Sequence, residues 1–475
     1  MTQRRNESRR VLIACLAGTV LACRASIAEP TTGRLSQAAT TVVDPGVRAG
    51  APSGGGPLPG LGADEAAFFA DGLARFQQLE CVTGCDHFGL GPRFNSTQCS
   101  SCHSQPSVGG TAPSANPLVA VATAGGAANT LPWFISADGP IRVARLKLDQ
   151  DGTPNGGVFA LFVVTGRTDA SGCNIAQYDF SPAGEPLSGQ GGNPNVSFRI
   201  PTPLFGSGLI EAIPDSAILG NMEATAAQAS LLGICGHPNT VSGAPNRSGN
   251  DGTISRFGWK AQNKSLLLFA GEAYNVEIGV TNQLFPQERD ETPGCVFNPT
   301  PEDTLNMSAS TNEGVLSDIE AFANFMRLLA PCEPAPDTAS TASGRYAFQT
   351  IGCALCHTPS LPTGASIASG SATSFSAALS GQTVNLYSDL LVHHMGEGLE
   401  DGITQGEAGP DEFRTAPLWG LGQRAYFLHD GRTASVLEAV EAHRSTGSEA
   451  NQVVENFNQL SPGEQQDLVD FLRSL

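Results

Sequence analysis

Charge is scarce in this sequence, and positive charge is scarcest. Charged residues make up 15% of the 475 positions, and 45 Asp and Glu outnumber 26 Lys and Arg, which gives a formal net charge of −19. A polyanionic nucleic acid would be repelled by such a surface, so nucleic-acid binding is excluded. An acidic surface fits a cationic electron carrier as partner, or serves solubility alone.

Long apolar runs are equally few. One spans residues 11–22 and follows a basic stretch at residues 4–10, a pattern typical of a secretory signal peptide, which we predict over residues 1–28. No later run is long enough to cross a bilayer. Cys23, which ends a sequence resembling a lipobox, is the alternative processing site and would carry a lipid anchor. Either way we expect a periplasmic or otherwise exported protein.

Patterns of long helices are scarce too, because 55 Gly and 32 Pro interrupt the chain. This composition favours a loop-rich protein whose short helices surround cofactors. Alternating apolar residues within 131–166 predict strands, so we expect a mainly α fold with β insertions. Residues 29–62 are rich in Pro, Gly, Ala and Thr without an apolar period, and are predicted to form a flexible linker.

Two pentapeptides carry the chemistry, Cys99-Ser100-Ser101-Cys102-His103 and Cys353-Ala354-Leu355-Cys356-His357. Cys-x-x-Cys-His is the attachment signature of c-type haem, because two thiols add to the two porphyrin vinyl groups and the following His binds the iron. A disulfide, a redox Cys-x-x-Cys and half of a zinc site are the alternatives. Two motifs predict two covalently bound haems, with His103 and His357 as iron ligands.

Six cysteines remain outside the leader and the two motifs: Cys81, Cys85, Cys173, Cys235, Cys295 and Cys332. In an oxidising compartment they permit up to three disulfides, and we expect structural roles for them. Their pairing is left open, except that Cys81 and Cys85 are close enough in sequence to form a local pair.

Apolar residues at helical spacing mark two haem regions. Such spacing recurs in four segments, at residues 64–79, 313–330, 344–351 and 462–475. Residues 331–342, rich in Pro, Ala, Ser and Thr, are typical of a hinge. We therefore predict an N-terminal haem domain with β insertions over residues 63–330 and a C-terminal cytochrome c domain over residues 343–475.

An internal repeat links the two halves. Residues 202–208 (Thr-Pro-Leu-Phe-Gly-Ser-Gly) match residues 416–422 (Ala-Pro-Leu-Trp-Gly-Leu-Gly), and a Phe-Arg pair precedes each. Residues 256–277 then correspond to residues 426–443. Because the order of the elements is kept, we expect each half to supply an iron-binding His and then a lid over its own haem.

At these residues the chain resembles the bacterial dihaem cytochrome c peroxidase superfamily, and within it the di-haem oxidoreductase branch. The matching text is Gly-Pro-Arg-Phe-Asn at 91–95, Phe-Gly-Trp-Lys-Ala at 257–261, Ser-Asp-Leu-Leu-Val-His-His-Met-Gly at 388–396, Ala-Pro-Leu-Trp-Gly at 416–420 and His-Asp-Gly-Arg at 429–432. The resemblance covers most of residues 65–475. It implies two cytochrome c-like haem domains arranged as in a dihaem peroxidase.

The resemblance also assigns ligands to the electron-transferring haem. His357 corresponds to its proximal ligand, and His443, fourteen residues after His429, stands where the peroxidases typically have Met. A bis-His haem would have a lower reduction potential than a His/Met one. Met395 is the rival sixth ligand.

Further roles follow from the resemblance for residues between and around the haems. Trp259 falls where the family has an aromatic ring between the two haems, and His429 is its counterpart in the repeat, beside that path or bonded to a propionate. The arginines expected to bind haem propionates are Arg256, Arg414 and Arg432.

The iron on His103 is expected to react with oxygen species. Glu277 aligns with the family's distal glutamate and would move a proton between the two peroxide oxygens. Phe269 and Ala273 replace the family's Gln and Pro, which puts peroxide turnover in question. Tyr274 or Lys260 would then approach the iron instead.

Together these features predict a periplasmic dihaem c-type oxidoreductase that reduces hydrogen peroxide. Dioxygen is the other oxidant considered, and a small redox protein, a cytochrome or cupredoxin, is the expected donor. The alternatives are a dihaem oxidase or oxygenase of an organic or protein substrate, and an electron-transfer cytochrome that is not an enzyme. The resemblance would also permit a calcium ion between the domains.

Overall fold

The computed structural model describes residues 41–149, 151–180, 195–240, 254–304, 316–367 and 374–475. The predicted signal peptide, Cys23 and the first part of the predicted linker, residues 29–40, lie outside these ranges. Within them, no helix is both long and apolar enough to cross a membrane.

Short helices separated by loops dominate the described residues, as the Gly and Pro content indicates. The α-helices are α1 Ala63–Phe76, α2 Cys99–Cys102, α3 Leu118–Val121, α4 Ser207–Glu211, α5 Asp215–Leu231, α6 Leu266–Ala273, α7 Asp318–Leu328, α8 Ala339–Thr350, α9 Val436–Ala442, α10 Asn451–Asn458 and α11 Pro462–Ser474. A π-helical turn, Tyr274–Ile278, continues α6.

Capping side chains fix several helix starts. Ser461 and Glu464 form the reciprocal capping box of α11, with the Ser461 N–H donating to the Glu464 carboxylate at 2.8 Å. Ser317 caps α7, which therefore begins at Asp318, later than the apolar spacing predicts. The helix ends at Leu328, before Pro331.

The strands are short and antiparallel, and they confirm the predicted β insertions. They are β1 Arg93–Phe94, β2 Val143–Leu146, β3 Val158–Phe159, β4 Phe162–Val163, β5 Val196–Arg199, β6 Leu361–Pro362, β7 Thr383–Val384, β8 Val392–His394 and β9 Glu412–Arg414. The sheet orders are β3-β2-β5, β1-β4, β6-β7 and β8-β9. Four strands thus come from the stretch between residues 131 and 200.

Each Cys-x-x-Cys-His segment follows a helix that crosses a later helix very closely. A Cβ at Gly72 of α1 would collide with the carbonyl of Ala321 in α7. A Cβ at Gly344 of α8 would collide in the same way with the carbonyl of Asp467 in α11. Glycine is therefore required at both crossings, and the two halves share this arrangement.

The internal repeat is visible in the loops. Phe257 bridges Asn263 and Phe427 bridges Thr433, so each repeat forms a turn of the same length. Ser265 and Ser435 then cap the helices that follow, α6 and α9. The same local interactions place Trp259 and His429 in equivalent turns.

Residues 42–62, part of the predicted flexible linker, are anchored to the fold. The Arg48 N–H donates to Gly422 O at 2.7 Å, and the Leu58 N–H donates to Leu328 O at 2.8 Å. The Ser53 N–H donates to the Gln423 side chain at 2.8 Å. Hydrogen bonds of this kind leave no apolar pattern in the sequence, which is why the sequence alone indicated a linker here.

Two disulfides form among the described cysteines. Cys81 pairs with Cys85, which confirms the predicted local pair, and Cys173 pairs with Cys295 across 122 residues. Cys332 is a buried free thiol. Among the described residues, two of the three disulfides that the sequence permits are therefore seen.

The described residues from Val42 onward belong to one compact unit. Their buried apolar side chains form two main clusters, one drawn mostly from residues before 391 and the other mostly from residues after 347. The division into haem domains at residues 63–330 and 343–475 stays a prediction.

A buried ion pair joins α4 to α7. Arg327 Nε donates to Glu211 Oε2 at 2.7 Å, and the exposed fractions of the two side chains are 1% and 2%. We predict that Arg327→Leu lowers the free energy of unfolding by about 3–5 kcal/mol, because it leaves a buried carboxylate without its cation. The measurement is urea denaturation of the haem-loaded protein followed by far-UV circular dichroism.

Arg345→Leu is the matched control, because Arg345 pairs with Asp337 at the surface. It should leave the unfolding transition almost unchanged. Equal destabilisation by both variants would contradict a special role for the buried pair.

Candidate functional site

Two internal cavities surround the two Cys-x-x-Cys-His segments. The His357 cavity, of about 230 Å³, is bordered by Cys353, Cys356 and His357. The His103 cavity, of about 150 Å³, is bordered by Cys99, Cys102 and His103. All four of these cysteines are free thiols.

In each Cys-x-x-Cys-His segment, a single helical turn places the two cysteine thiols and the imidazole on the same side of the backbone. The His103 N–H donates to Cys99 O at 3.2 Å, and the His357 N–H donates to Cys353 O at 2.9 Å. Side chains three and four residues apart lie on the same face of such a turn. Two thiols and an imidazole therefore face each cavity together, as haem attachment requires.

Backbone carbonyls orient both imidazoles. His103 Nδ1 lies 3.0 Å from Gly110 O, and His357 Nδ1 lies 3.0 Å from Tyr387 O. Burial lowers the pKa of each ring to about 4, so both are neutral. A neutral ring that donates its Nδ1 proton to a carbonyl keeps Nε2 free to bind a metal, which is the usual arrangement of metal-bound histidines.

His443 borders the same cavity as His357, as predicted. It ends α9, and its Nδ1 lies 2.6 Å from Ala439 O, which again leaves Nε2 free. Burial lowers the pKa of His443, and the proximity of His443 helps burial to lower the pKa of His357. Met395 also borders this cavity.

Two cationic side chains without acidic partners border the His357 cavity. Arg414 Nε donates to Gly258 O at 3.1 Å, and Arg424 Nη2 donates to Pro417 O at 2.9 Å. Among the described residues neither guanidinium pairs with a carboxylate, and burial lowers the pKa of each to about 10. A bound anionic group such as a haem propionate would stabilise both.

The other predicted propionate partners do not border either cavity. Arg256 bonds Asp215, and Arg432 bonds Asp430. Their carboxylate partners lie nearby in the fold, so nothing in the described residues supports those two assignments. In the His103 cavity the bordering arginines are instead Arg145 and Arg199.

Trp259 borders both cavities, together with Ile200. Trp259 Nε1 donates to Ile200 O at 2.9 Å, which fixes the indole in this wall. The ring centroid of His429 lies 6.4 Å away. His429 itself borders the His357 cavity and stacks on Phe413 at 4.4 Å. Trp259 thus forms part of both cavity walls, and His429 lies beside it in the wall of the His357 cavity.

Glu277 borders the His103 cavity from the π-helical turn. Asn95 Nδ2 donates to Glu277 Oε2 at 2.8 Å, and the Asn95 N–H donates to Glu277 O at 2.7 Å. Within the described residues Oε1 accepts no hydrogen bond. Burial raises the pKa of this carboxyl, although the Asn95 contact opposes the shift.

The two alternative ligands considered for the His103 iron are engaged elsewhere. Lys260 Nζ donates to Gly409 O at 2.7 Å and lies 3.1 Å from Asp401 Oδ1, and it does not border the His103 cavity. Tyr274 does border it, but its hydroxyl lies 3.2 Å from Glu80 Oε1 and 3.1 Å from Asp318 Oδ2. Acidic partners therefore already engage the polar groups of both side chains.

Sequence reasoning missed several polar residues at the cavities. Gln262 borders the His103 cavity, and its Oε1 is buried without a hydrogen-bond partner among the described residues. His393 lies 3.6 Å from Cys356 Sγ and bonds Asp389 and Glu449. The available signals were their positions: Gln262 directly follows the matched text at 257–261, and His393 lies inside that at 388–396.

Comparison with known proteins identifies one family. A sequence model described as “Di-haem oxidoreductase, putative peroxidase” matches residues 192–475, more than half of the chain. The matched residues include the second Cys-x-x-Cys-His motif, Trp259, Glu277 and His443. No curated protein sequence matches the chain.

Solved structures resemble the chain only in part. A MauG-like protein associated with microbial copper homeostasis is 18% identical with a TM-score of 0.25, and covers 35% of this chain and 55% of its own. Hydrazine synthase of Kuenenia stuttgartiensis is 18% identical with a TM-score of 0.21, and covers 33% and 55%. The dihaem peroxidase BthA of Burkholderia thailandensis E264 is 14% identical with a TM-score of 0.27, and covers 58% and 86%. The chain thus spans about half the length of the first two.

The geometry of the His357 cavity predicts the effect of removing the second imidazole. His443→Gly should convert one low-spin ferric haem to high spin, because glycine offers no sixth ligand. Electron paramagnetic resonance of the purified ferric protein measures the change.

Met395→Leu is the control for the rival ligand. It should leave the spectrum as in the wild type. A spectrum changed by Met395→Leu and unchanged by His443→Gly would transfer the ligand role to Met395.

Proposed function

The chain belongs to the di-haem oxidoreductase family, and we propose that it is a dihaem c-type oxidoreductase that reduces hydrogen peroxide. Haem is the cofactor of this family. In the proposal Cys99 and Cys102 attach one haem, and Cys353 and Cys356 attach the other. The observation that carries it is an asymmetry: a second imidazole with a free Nε2, His443, borders the His357 cavity, whereas His103 is the only described histidine at the His103 cavity, which Glu277 borders.

The residues present fit two haems. Each cavity has two free thiols and one neutral imidazole whose Nε2 is available. Arg414 and Arg424 supply unpaired positive charge at the His357 cavity. When bound, haem supplies the redox chemistry, and the protein sets its ligands, its surroundings and the access of substrate.

Glu277 is proposed to handle the proton. Reduction of peroxide follows H₂O₂ + 2 e⁻ + 2 H⁺ → 2 H₂O, and it requires that one oxygen lose its proton and the other gain one. Glu277 Oε1 can accept the first proton and return it to the leaving oxygen, as a general acid–base catalyst. Asn95 donates to Oε2, which leaves Oε1 as the oxygen that accepts no hydrogen bond among the described residues.

Trp259 is proposed to connect the two sites. Its indole is part of both cavity walls and is held by a hydrogen bond to Ile200 O. An aromatic ring at this position provides a conjugated group between the haem positions, and His429 lies beside it. His443 and His357, both neutral, would complete the ligand set of the electron-storing site.

The contacts of Lys260 count against a plain electron-transfer cytochrome. That alternative needs a strong ligand to close the His103 cavity, and Lys260, the candidate, is held by Asp401 and three backbone carbonyls. An oxidase or oxygenase acting on an organic or protein substrate stays the alternative enzyme. The redox-protein donor, the periplasmic location and a calcium ion stay predictions.

We predict that Glu277→Gln slows the reaction with hydrogen peroxide by about 10²-fold or more, because an amide cannot accept the proton. The measurement is stopped-flow absorbance of the ferric protein mixed with peroxide. In the wild type the rate should rise with pH through a pKa above the ordinary carboxyl range, since burial raises the pKa of Glu277 and only its ionised form is a base.

Glu272→Gln serves as the control on the same segment, because Glu272 bonds Asn263 and does not border the cavity. It should keep a rate near that of the wild type, and its pH profile should move to lower pH, because the charge of Glu272 helps burial to raise the pKa of Glu277. An unchanged rate and pH profile in Glu277→Gln would rule out the role of Glu277.

A further inference from the structure

Three adjacent chain segments place two histidines and a glutamate on one face of a small sheet. β8 pairs with β9 so that His394 lies directly opposite Glu412. His237 pairs with Val392 on the other side of β8, through backbone hydrogen bonds of 3.0 and 2.9 Å. Opposite residues, and residues two apart along a strand, share a face. His237, His394 and Glu412, the histidine–glutamate triad, therefore share one face, and His393 is on the other.

Within the triad, two imidazole nitrogens converge on one carboxylate oxygen. His237 Nε2 lies 2.7 Å from Glu412 Oε1, and His394 Nε2 lies 3.2 Å from the same atom. Glu412 is nearly buried, with 5% of its side chain exposed, whereas His237 and His394 are 39% and 51% exposed. The carboxylate of Glu412 is thus held inside the protein, while the two imidazole rings remain partly accessible to solvent.

In each triad residue, the ring nitrogen or carboxylate oxygen that does not contact the rest of the triad has a hydrogen-bond partner of its own. His394 Nδ1 lies 3.0 Å from Asp411 Oδ1, and His237 Nδ1 lies 3.1 Å from Pro238 O. Glu412 Oε2 accepts the Gly409 N–H at 2.6 Å. Metal-bound histidines typically donate their second ring proton to a carboxylate or a carbonyl, which fixes the tautomer that leaves Nε2 for the metal.

We propose that the histidine–glutamate triad binds one divalent transition-metal ion of the zinc type. Two imidazole nitrogens and one carboxylate oxygen are a ligand set of zinc, with the fourth position left to water. Calcium and magnesium prefer oxygen ligands alone and are not expected here. The ion replaces the protons that now link the two Nε2 atoms to Glu412, and the three side chains move until each donor lies about 2.0–2.2 Å from the ion.

The donor atoms of Cys356, Asp389 and His393 lie within 4.8 Å of one another, and no other group among the described residues meets this spacing. The donor atoms of the triad therefore have to move closer together to hold one ion, which the partial exposure of His237 and His394 permits. Cys356, however, belongs to a haem attachment motif, so its sulfur would be used in a thioether bond. The triad uses none of the haem residues, and the inference is independent of peroxide reduction.

Equilibrium dialysis against Zn²⁺, with metal counted by mass spectrometry, tests the site in the haem-loaded protein after removal of bound metal with a chelator. We expect one zinc ion per chain, and loss of this binding in His237→Gln and in His394→Gln. Asp411→Asn, which removes only an outer partner, should weaken binding by about 10–100-fold. The haem spectrum of each variant reports whether the fold is kept.

His87→Gln is the matched control, because His87 is an exposed histidine outside the triad. It should bind zinc as the wild type does. Absence of a stoichiometric zinc ion in the wild type would overturn the proposal. Unchanged binding in the two triad histidine variants, or an equal loss in His87→Gln, would overturn it as well.

Discussion

Three hydrogen bonds from buried imidazoles to backbone carbonyls are the constraint on which the haem sites depend. Gly110, Tyr387 and Ala439 accept from Nδ1 of His103, His357 and His443, respectively. Each bond fixes the ring plane and leaves Nε2 facing a cavity. Burial keeps the rings neutral, and a protonated imidazole could not bind iron. The orientation of the three imidazole rings is thus set by hydrogen bonds to the backbone.

The two halves are built alike and differ where the chemistry differs. Both have a leading helix that crosses a later helix at a glycine, a helical turn bearing two thiols and an imidazole, and a serine-capped lid helix. The lid ends in His443 in one half and in the turn bearing Glu277 in the other. The two halves share this scaffold and differ at the end of the lid, which carries an imidazole in one half and a carboxylate in the other.

The features that the sequence alone could predict are local. The haem motifs, the capping box of α11, the Cys81–Cys85 pair and the repeated turns depend on spacings of a few residues. His443, Trp259 and Glu277 were found through resemblance, and their roles stay predictions.

The features that were missed depend on contacts between distant segments. Lys260, a candidate ligand from the sequence, lies against Asp401, and Arg256, a candidate propionate partner, pairs with Asp215. The anchoring of residues 42–62 by residues 328, 422 and 423 also depends on contacts between distant segments. The histidine–glutamate triad does as well, because its members come from segments up to 175 residues apart.

The asymmetry between the two sites is the central claim, and electron paramagnetic resonance of the purified ferric protein tests it most directly. The account requires one low-spin haem with two imidazole ligands and one high-spin haem, and only the high-spin signal should change at once when hydrogen peroxide is added. Two low-spin haems, both unaffected by peroxide, would contradict it.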